Sequence, residues 1–187
     1  MAVAVCKQKP RLAVAFLLTF LGLLRVSELL HLKACNIIFL SSASVHIVLE
    51  DTKGAKRSGA PEAVQISDRQ TIGALRKMVE GLADDELVFN YSYHEFSRFL
   101  VLCAAFFDFQ SDRLTPHCFR RGGATAFFAL HRSYDLLADH GRWSQISTAR
   151  MYVDQAFADR EQLVLSPRGE TRLASCVELV PDLIASI

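Results

Sequence analysis

The sequence lacks an excess of charge of either sign. Its 187 residues include 21 lysines and arginines against 20 aspartates and glutamates, so the formal net charge is only +1. A protein that binds nucleic acid over a broad surface usually carries a basic excess. The charge balance therefore argues against such a surface, although it does not exclude one locally basic face.

The cysteines form no metal-binding or disulfide pattern. There are five, an odd number, and they are scattered through the chain at Cys6, Cys35, Cys103, Cys118 and Cys176. No two have CxxC spacing, and none belongs to a Cys/His cluster with the spacing of metal ligands. Because structural disulfides belong to oxidising compartments, we expect a reduced, intracellular protein that binds no metal ion.

The apolar run Leu12–Leu24 is too short to cross a membrane. It follows Lys7, Lys9 and Arg11, and so has the outline of a signal peptide. At about a dozen apolar residues it falls short of the roughly 20 that span a bilayer. The segment that follows, residues 25–28, contains no small-x-small cleavage site. We therefore expect no membrane partner.

The composition is that of a folded protein. Hydrophobic residues make up 51% of the chain and charged residues 22%, which is ordinary for a globular domain. The length suits one domain, and no repeat or linker divides it. We expect residues 1–187 to form a single domain, with a core over about 12–164 and a tail helix over about 171–185.

Hydrophobic periodicity predicts an α+β class, mostly α with a small antiparallel β-sheet. The predicted strands are Asn36–Leu40 and Val45–Glu50, joined as a hairpin, and Ala63–Ile66. The polar stretch Asp51–Glu62 is predicted to be a basic loop between the last two strands. The predicted helices are Leu12–Leu24, Glu28–Lys33 with Ser27 as its cap, Asp68–Leu82, Tyr93–Phe107, one capped at Thr115 that runs to about Leu130, Tyr134–Asp139, Ile146–Tyr152, a segment near Phe157–Val164 and, after a break at residues 167–169, Thr171–Ile184.

The densest chemical motif is His117-x-x-Arg120 at the start of a predicted helix. Residues three apart on a helix project to the same side. The free N–H groups and the dipole at that end favour an anion. An imidazole and a guanidinium in that place are suited to a phosphate, but a solvated, capped helix start is an equally simple interpretation.

Further cations stand at Arg25 and in the predicted loop. Arg25 ends an apolar helix, and Glu28 is its expected partner, so a structural ion pair explains it as well as a function does. The loop contains Lys53, Lys56 and Arg57. A basic turn can reach a phosphate backbone, but exposed turns are often basic for solubility alone.

Two aromatic residues complete the set of candidates. Trp143 is the single tryptophan, and its indole N–H can donate to a phosphate oxygen, although a tryptophan more often packs in a core. Tyr152 lies in a predicted helix, where a tyrosine usually only packs. Neither residue indicates a function by itself.

Taken in order, these residues resemble the tyrosine recombinase (phage integrase) family. The family's arginine followed by Ser-Glu-Leu is matched by Arg25 with residues 27–29, and its hairpin lysine by Lys53, with Lys56 as a less favoured alternative. The remaining positions of the family pattern fall on His117, Arg120, Trp143 (histidine in most members, tryptophan in some) and Tyr152. The resemblance covers about residues 12–164 and implies the DNA breaking-rejoining fold of the family's catalytic domain.

The resemblance implies site-specific DNA recombination or integration without a metal ion, a cofactor or ATP. Tyr152 would be the nucleophile, forming a 3′-phosphotyrosyl intermediate with double-stranded DNA. Two arginines would grip the phosphate oxygens, with single donors from the histidine and the tryptophan. Lys53 would protonate the leaving 5′ oxygen, and Glu28 would orient Arg25 or assist the histidine. Further DNA contacts are expected from Lys56, Arg57 and Arg121.

The chain also departs from the family pattern. Members normally carry a core-binding domain before the catalytic one, and we expect that domain to be absent here. Arg142 stands where glycine is usual and is expected to crowd the turn before Trp143. We expect a DNA-associated protein that self-associates on DNA. Two alternatives stay open: a catalytically weak or inactive DNA-binding remnant of a mobile element, and a helical interaction protein.

Overall fold

The computed structural model describes residues 9–108, 114–153 and 166–178. Helices dominate this part of the chain, with a short 3-10 turn at Ala34–Asn36. The helices are α1 (Pro10–Leu21), α2 (Val26–Leu30), α3 (Lys53–Ser58), α4 (Arg69–Val79), α5 (Tyr93–Phe106), α6 (His117–His131), α7 (Tyr134–Gly141), α8 (Ile146–Tyr152) and α9 (Pro167–Glu178). The predicted helix near residues 157–164 and the end of the predicted tail helix lie outside the described residues.

A three-stranded antiparallel sheet lies between α2 and α4. Its strands β1 (Ile37–Ser41), β2 (Ser44–Leu49) and β3 (Glu62–Ile66) pair in the order β1-β2-β3. In β2, Val45, Ile47 and Leu49 are buried and alternate with half-buried residues, as expected of a strand with one face on the core. The predicted hairpin and third strand are confirmed.

The connection between β2 and β3 is not the predicted loop, because it contains α3. The side chain of Thr52 accepts a hydrogen bond from the backbone N–H of Ala55 at 2.9 Å and caps the start of α3. Gly59 ends the helix in the left-handed region at φ 71°. Lys53 therefore stands in the first turn of a helix rather than in a flexible turn.

The end of α1 and the start of α2 also differ from the prediction. The first helix ends at Leu21, because Leu23 adopts a positive φ of 47° and breaks the predicted run to residue 24. The next helix begins at Val26, and Arg25 rather than Ser27 is its N-cap residue. The backbone N–H of Arg25 donates to the carboxylate of Glu28 at 2.8 Å, which fixes the helix start.

Two other predicted helix starts are wrong. The cap of α6 falls on Pro116 instead of Thr115, and it makes no side-chain capping bond. Residues 167–169 do not break the chain but form the first turn of α9, where Pro167 needs no N–H partner. Among the described residues, no helix combines the length and apolar character required to cross a membrane.

The buried core has two parts. The larger part packs α1, α4 and α5 against the sheet. The smaller part lies among α6, α7 and α8, and Trp143 and Tyr152 pack against it. Gly123 lets α6 approach α1, since a Cβ at this position would collide with the carbonyl oxygen of Phe20. This close contact fixes α6 against the turn that precedes Arg25.

Candidate active site

Three predicted site residues lie around the phenol ring of a fourth, Tyr152. The indole of Trp143 stacks on it with ring centroids 4.7 Å apart and planes inclined by 26°. The imidazole of His117 lies 5.4 Å from it, centroid to centroid. The guanidinium carbon of Arg120 is 5.8 Å from the phenol centroid and 4.9 Å from the indole. Residues from α6, α8 and the α7–α8 turn thus form one cluster.

Arg120 lies inside the protein with 1% of its surface exposed. One terminal nitrogen donates to the carbonyl of Gly141 at 2.8 Å, and the other donates to the carbonyl of Leu23. These two bonds tie α6 both to the end of α7 and to the turn after α1. In this conformation both terminal nitrogens are hydrogen-bonded to backbone carbonyls. The rings of Trp143 and Tyr152 lie beside the guanidinium.

Burial and like charges perturb two groups of the cluster. Burial lowers the pKa of Arg120 to about 10, and the nearby guanidiniums of Arg142 and Arg25 act in the same direction. The pKa of His117 is also lowered, first by burial and then by the positive charge of neighbouring arginines. The imidazole is therefore neutral at neutral pH, with one ring nitrogen free of a proton.

Glu28 joins three arginines through one carboxylate. Its Oε1 lies 2.6 Å from Nη1 of Arg25, and its Oε2 lies 2.9 Å from Nη2 of Arg142. The same Oε2 is 4.0 Å from Nη1 of Arg120. Only 6% of the Glu28 side chain is exposed, so water screens the charge of this carboxylate little. The arrangement holds more positive than negative charge, even though the whole chain is nearly neutral.

A cleft of about 720 Å³ opens beside this cluster. Arg25, Lys53 and Trp143 line it together, whereas His117, Arg120 and Tyr152 do not. Trp143 therefore belongs to both the cleft and the aromatic cluster. The other lining residues are Gly54, Arg57, Ser58, Glu62, Ala63, Ala138, Asp139, Arg142, Ser144 and Thr148.

The three predicted DNA-contacting residues lie in different surroundings. Arg57 lines the cleft. Lys56 points to another partner, since its ammonium lies 2.6 Å from the carboxylate of Asp51 in an exposed ion pair. Arg121 is exposed on α6, next to Arg120. Of the three, Arg57 is the one placed beside Lys53 and Arg25.

Arg142 is the residue that sequence reasoning missed. Its backbone has a φ of 58°, the left-handed conformation that favours glycine. Its side chain does not crowd the turn as expected but runs inward, with 6% exposed, to Glu28 and the carbonyl of Gly22. The ring of Trp143 instead lies over Gly141, where a Cβ would collide with it. The only sequence signal was an arginine at a position that usually requires glycine.

Comparison with known proteins supports the fold but not a family membership. No family model matches the sequence, and no curated protein matches it. Two solved structures share the fold: the site-specific recombinase XerH bound to difH substrate in a pre-cleavage complex, and XerH bound to palindromic difH substrate in a post-cleavage complex. Both have 16% sequence identity to this chain and cover 86% of it, with TM-scores of 0.65 and 0.64.

The similarity confirms the expected fold class. The chain is mostly helical with a small antiparallel sheet, and it has a tyrosine recombinase-like fold. It spans about half the length of the XerH chains, 49% and 48%. Within the described residues, no group of three or more histidine, cysteine or acidic side chains could hold a metal ion.

Proposed function

We propose that this chain is the catalytic domain of a tyrosine recombinase that cuts and rejoins double-stranded DNA. The proposal rests chiefly on one observation: the phenol of Tyr152 lies against Trp143, His117 and Arg120, at 4.7, 5.4 and 5.8 Å. A phenol can serve as the nucleophile of a metal-free phosphoryl transfer, and an imidazole, an indole N–H and a guanidinium can supply the proton acceptor and the donors to the phosphate oxygens. In this proposal residues 1–187 form a single catalytic domain.

The proposed cleavage of DNA needs no reactant besides the protein and the DNA. The Tyr152 oxygen forms a bond to phosphorus, the bond from phosphorus to the 5′ oxygen breaks, and the product is a 3′-phosphotyrosyl link with a free 5′-hydroxyl. The neutral imidazole of His117 accepts the phenol proton, and Lys53 gives a proton to the leaving oxygen. A second 5′-hydroxyl reverses these steps, so the strand is rejoined without ATP.

Cations in the cluster and the cleft stabilise the transition state in this proposal. Arg25 is more exposed than Arg120 and meets the phosphate first, while Glu28 fixes its orientation. Arg120 is buried beneath two aromatic rings. The stacked pair of Tyr152 and Trp143 must therefore shift before a phosphate oxygen reaches this guanidinium. That shift would also carry the phenol towards the phosphate.

DNA is the proposed partner on two grounds. The neighbouring XerH structures are complexes with a difH substrate, and the cleft of this chain combines Arg25, Lys53 and Arg57. We also propose that copies of the chain associate on DNA and that the protein is DNA-associated in the cell. Site-specific recombination or integration, as in mobile elements such as phages, is the activity that fits this chemistry.

A covalent-adduct assay tests the proposal. The probe is a labelled pool of duplexes with a randomised segment, nicked so that the released strand diffuses away and rejoining fails. We expect the unaltered protein to form an adduct that survives a denaturing gel. Tyr152→Phe should abolish the adduct and leave duplex binding nearly unchanged. Tyr134→Phe is the matched control, because it removes a phenol oxygen from a neighbouring ring stacked on Phe128, and it should keep the adduct.

A DNA-binding remnant of a mobile element with weak or no activity is the second candidate. The burial of Arg120, with both terminal nitrogens bonded to carbonyls, favours it. A remnant would bind the duplex pool in a salt-dependent manner and form no adduct. The same assay therefore separates the two functions. A protein that neither binds the pool nor forms an adduct would contradict both.

A further inference from the structure

Arg142 connects the two walls of the cleft. On one side, its Nη2 lies 2.9 Å from Oε2 of Glu28, whose other oxygen pairs with Arg25. On the other side, its Nε lies 3.6 Å from Oε2 of Glu62, at the start of β3. The helix end that carries Arg142 is thereby joined to both α2 and the sheet.

Glu62 also contacts the helix that carries Lys53. A Cβ built on Gly54 would collide with the Glu62 carboxylate, so that carboxylate lies directly against the backbone of α3. Gly54 is the neighbour of Lys53 in the first turn of this helix. The contact between Arg142 and Glu62 is an ion pair without a hydrogen bond, and it keeps this carboxylate beside the turn that carries Lys53.

We infer that Arg142 is a positioning residue that holds Lys53 in the cleft it shares with Arg25, by pairing with Glu62 and Glu28 through one guanidinium. The inference rests on the proposed function and assigns a role that the recombinase resemblance does not supply, because glycine is usual at this position. A planar guanidinium can bind two carboxylates at once, which an ammonium does less well. Its side chain is 6% exposed, so water screens these ion pairs little.

Replacement by glycine isolates the effect of the guanidinium. The left-handed backbone at residue 142, with a φ of 58°, suits glycine better than arginine, so Arg142→Gly keeps the turn. Arg132→Gly is the matched control. It makes the same change at the left-handed residue that ends α6, with a φ of 51°, and it lies outside the proposed machinery. Thermal unfolding and duplex binding of both variants check the fold.

The test compares two leaving groups on the duplex sequence that the adduct assay selects. In one duplex the bridging 5′ oxygen is replaced by sulfur, which departs as a thiolate and needs no proton. A variant that misplaces the proposed acid Lys53 then loses less activity on sulfur than on oxygen. We expect Arg142→Gly to slow cleavage of the ordinary duplex about 10²-fold and to slow the sulfur duplex only about tenfold.

The ratio of sulfur to oxygen cleavage rates decides the outcome. Glu62→Gln should raise this ratio as Arg142→Gly does, whereas Arg132→Gly should leave it at the unaltered value. An unchanged ratio in Arg142→Gly would overturn the inference, and so would a raised ratio in Arg132→Gly. Because the unaltered protein must first form an adduct, failure of the proposed function appears at that earlier step and is distinct from failure of the inference.

Discussion

Replacement of Arg120 by methionine should destabilise the fold only modestly while greatly slowing DNA cleavage. Burial lowers the pKa of Arg120 to about 10. Since each pKa unit corresponds to about 1.4 kcal/mol, keeping this guanidinium charged inside the protein costs about 3 kcal/mol. Its bonds to the carbonyls of Gly141 and Leu23 contribute about 1.5–3 kcal/mol each. Together the two bonds contribute about 3–6 kcal/mol, so the net stabilisation by Arg120 is about 0–3 kcal/mol.

Methionine is the informative replacement because it fills the site without a charge. Glu28 keeps two close arginine partners, Arg25 and Arg142, after the change. We therefore expect the free energy of unfolding to fall by no more than about 3 kcal/mol, whereas a buried charge that is left unpaired costs about 3–5 kcal/mol. The measurement is urea unfolding followed by circular dichroism. Cleavage of the nicked duplex should fall on the order of 10²–10³-fold.

Arg120→Lys provides the comparison. Lysine keeps a charge in the buried site but has no fork to reach both carbonyls, so we expect it to be less stable than Arg120→Met and to recover little cleavage. A loss of more than about 3 kcal/mol in Arg120→Met would refute the reasoning. That result would mean that Arg120 chiefly stabilises the fold, by joining α6 to the backbone at Leu23 and Gly141.

Two further predictions concern the elements that hold the site. Gly123→Ala should destabilise the fold by about 1–3 kcal/mol, because the added methyl meets the carbonyl of Phe20. Gly122→Ala, where the nearest atom is a flexible ring 3.5 Å away, should be neutral or slightly stabilising; equal melting temperatures would contradict both. Burial lowers the pKa of His140, whose Nε2 lies 2.7 Å from the carbonyl of Leu21. It stays neutral in the fold while the unfolded chain takes up a proton, so the free energy of unfolding should fall as the pH drops below about 6.5. His140→Gln should flatten that pH profile, and an unaltered slope would show that His140 does not contribute.

The sequence allowed the class of fold to be predicted because periodicity reports which face of each element is buried. The predicted strand Val45–Glu50 corresponds to β2, and the predicted start of α8 at Ile146 is confirmed. Helix ends were harder to predict, since they depend on single residues. Leu23 turns the chain with a positive φ, and nothing in its apolar surroundings indicates that conformation.

Four of the predicted site residues lie together in the structure, but the contacts that connect them to the rest of the protein were not predicted. The motif of His117 and Arg120 fixes two residues on one side of a helix, and the structure brings both to Tyr152. The role of Arg142 depends on contacts with Glu28 and Glu62 across more than one element. Contacts at such sequence separation leave no periodic signal. The short helix α3 was missed because its polar, glycine-containing sequence resembles a loop.

In the proposed function the phenol oxygen of Tyr152 is the nucleophile that becomes covalently bonded to DNA, and one measurement tests this most directly. The adduct formed with the nicked duplex pool is digested with a protease and a nuclease, and the modified peptide is sequenced by mass spectrometry. We predict a nucleotide linked through its 3′ phosphate to Tyr152. A modification on any other residue, or a duplex that is bound but never joined to the protein, would contradict the claim.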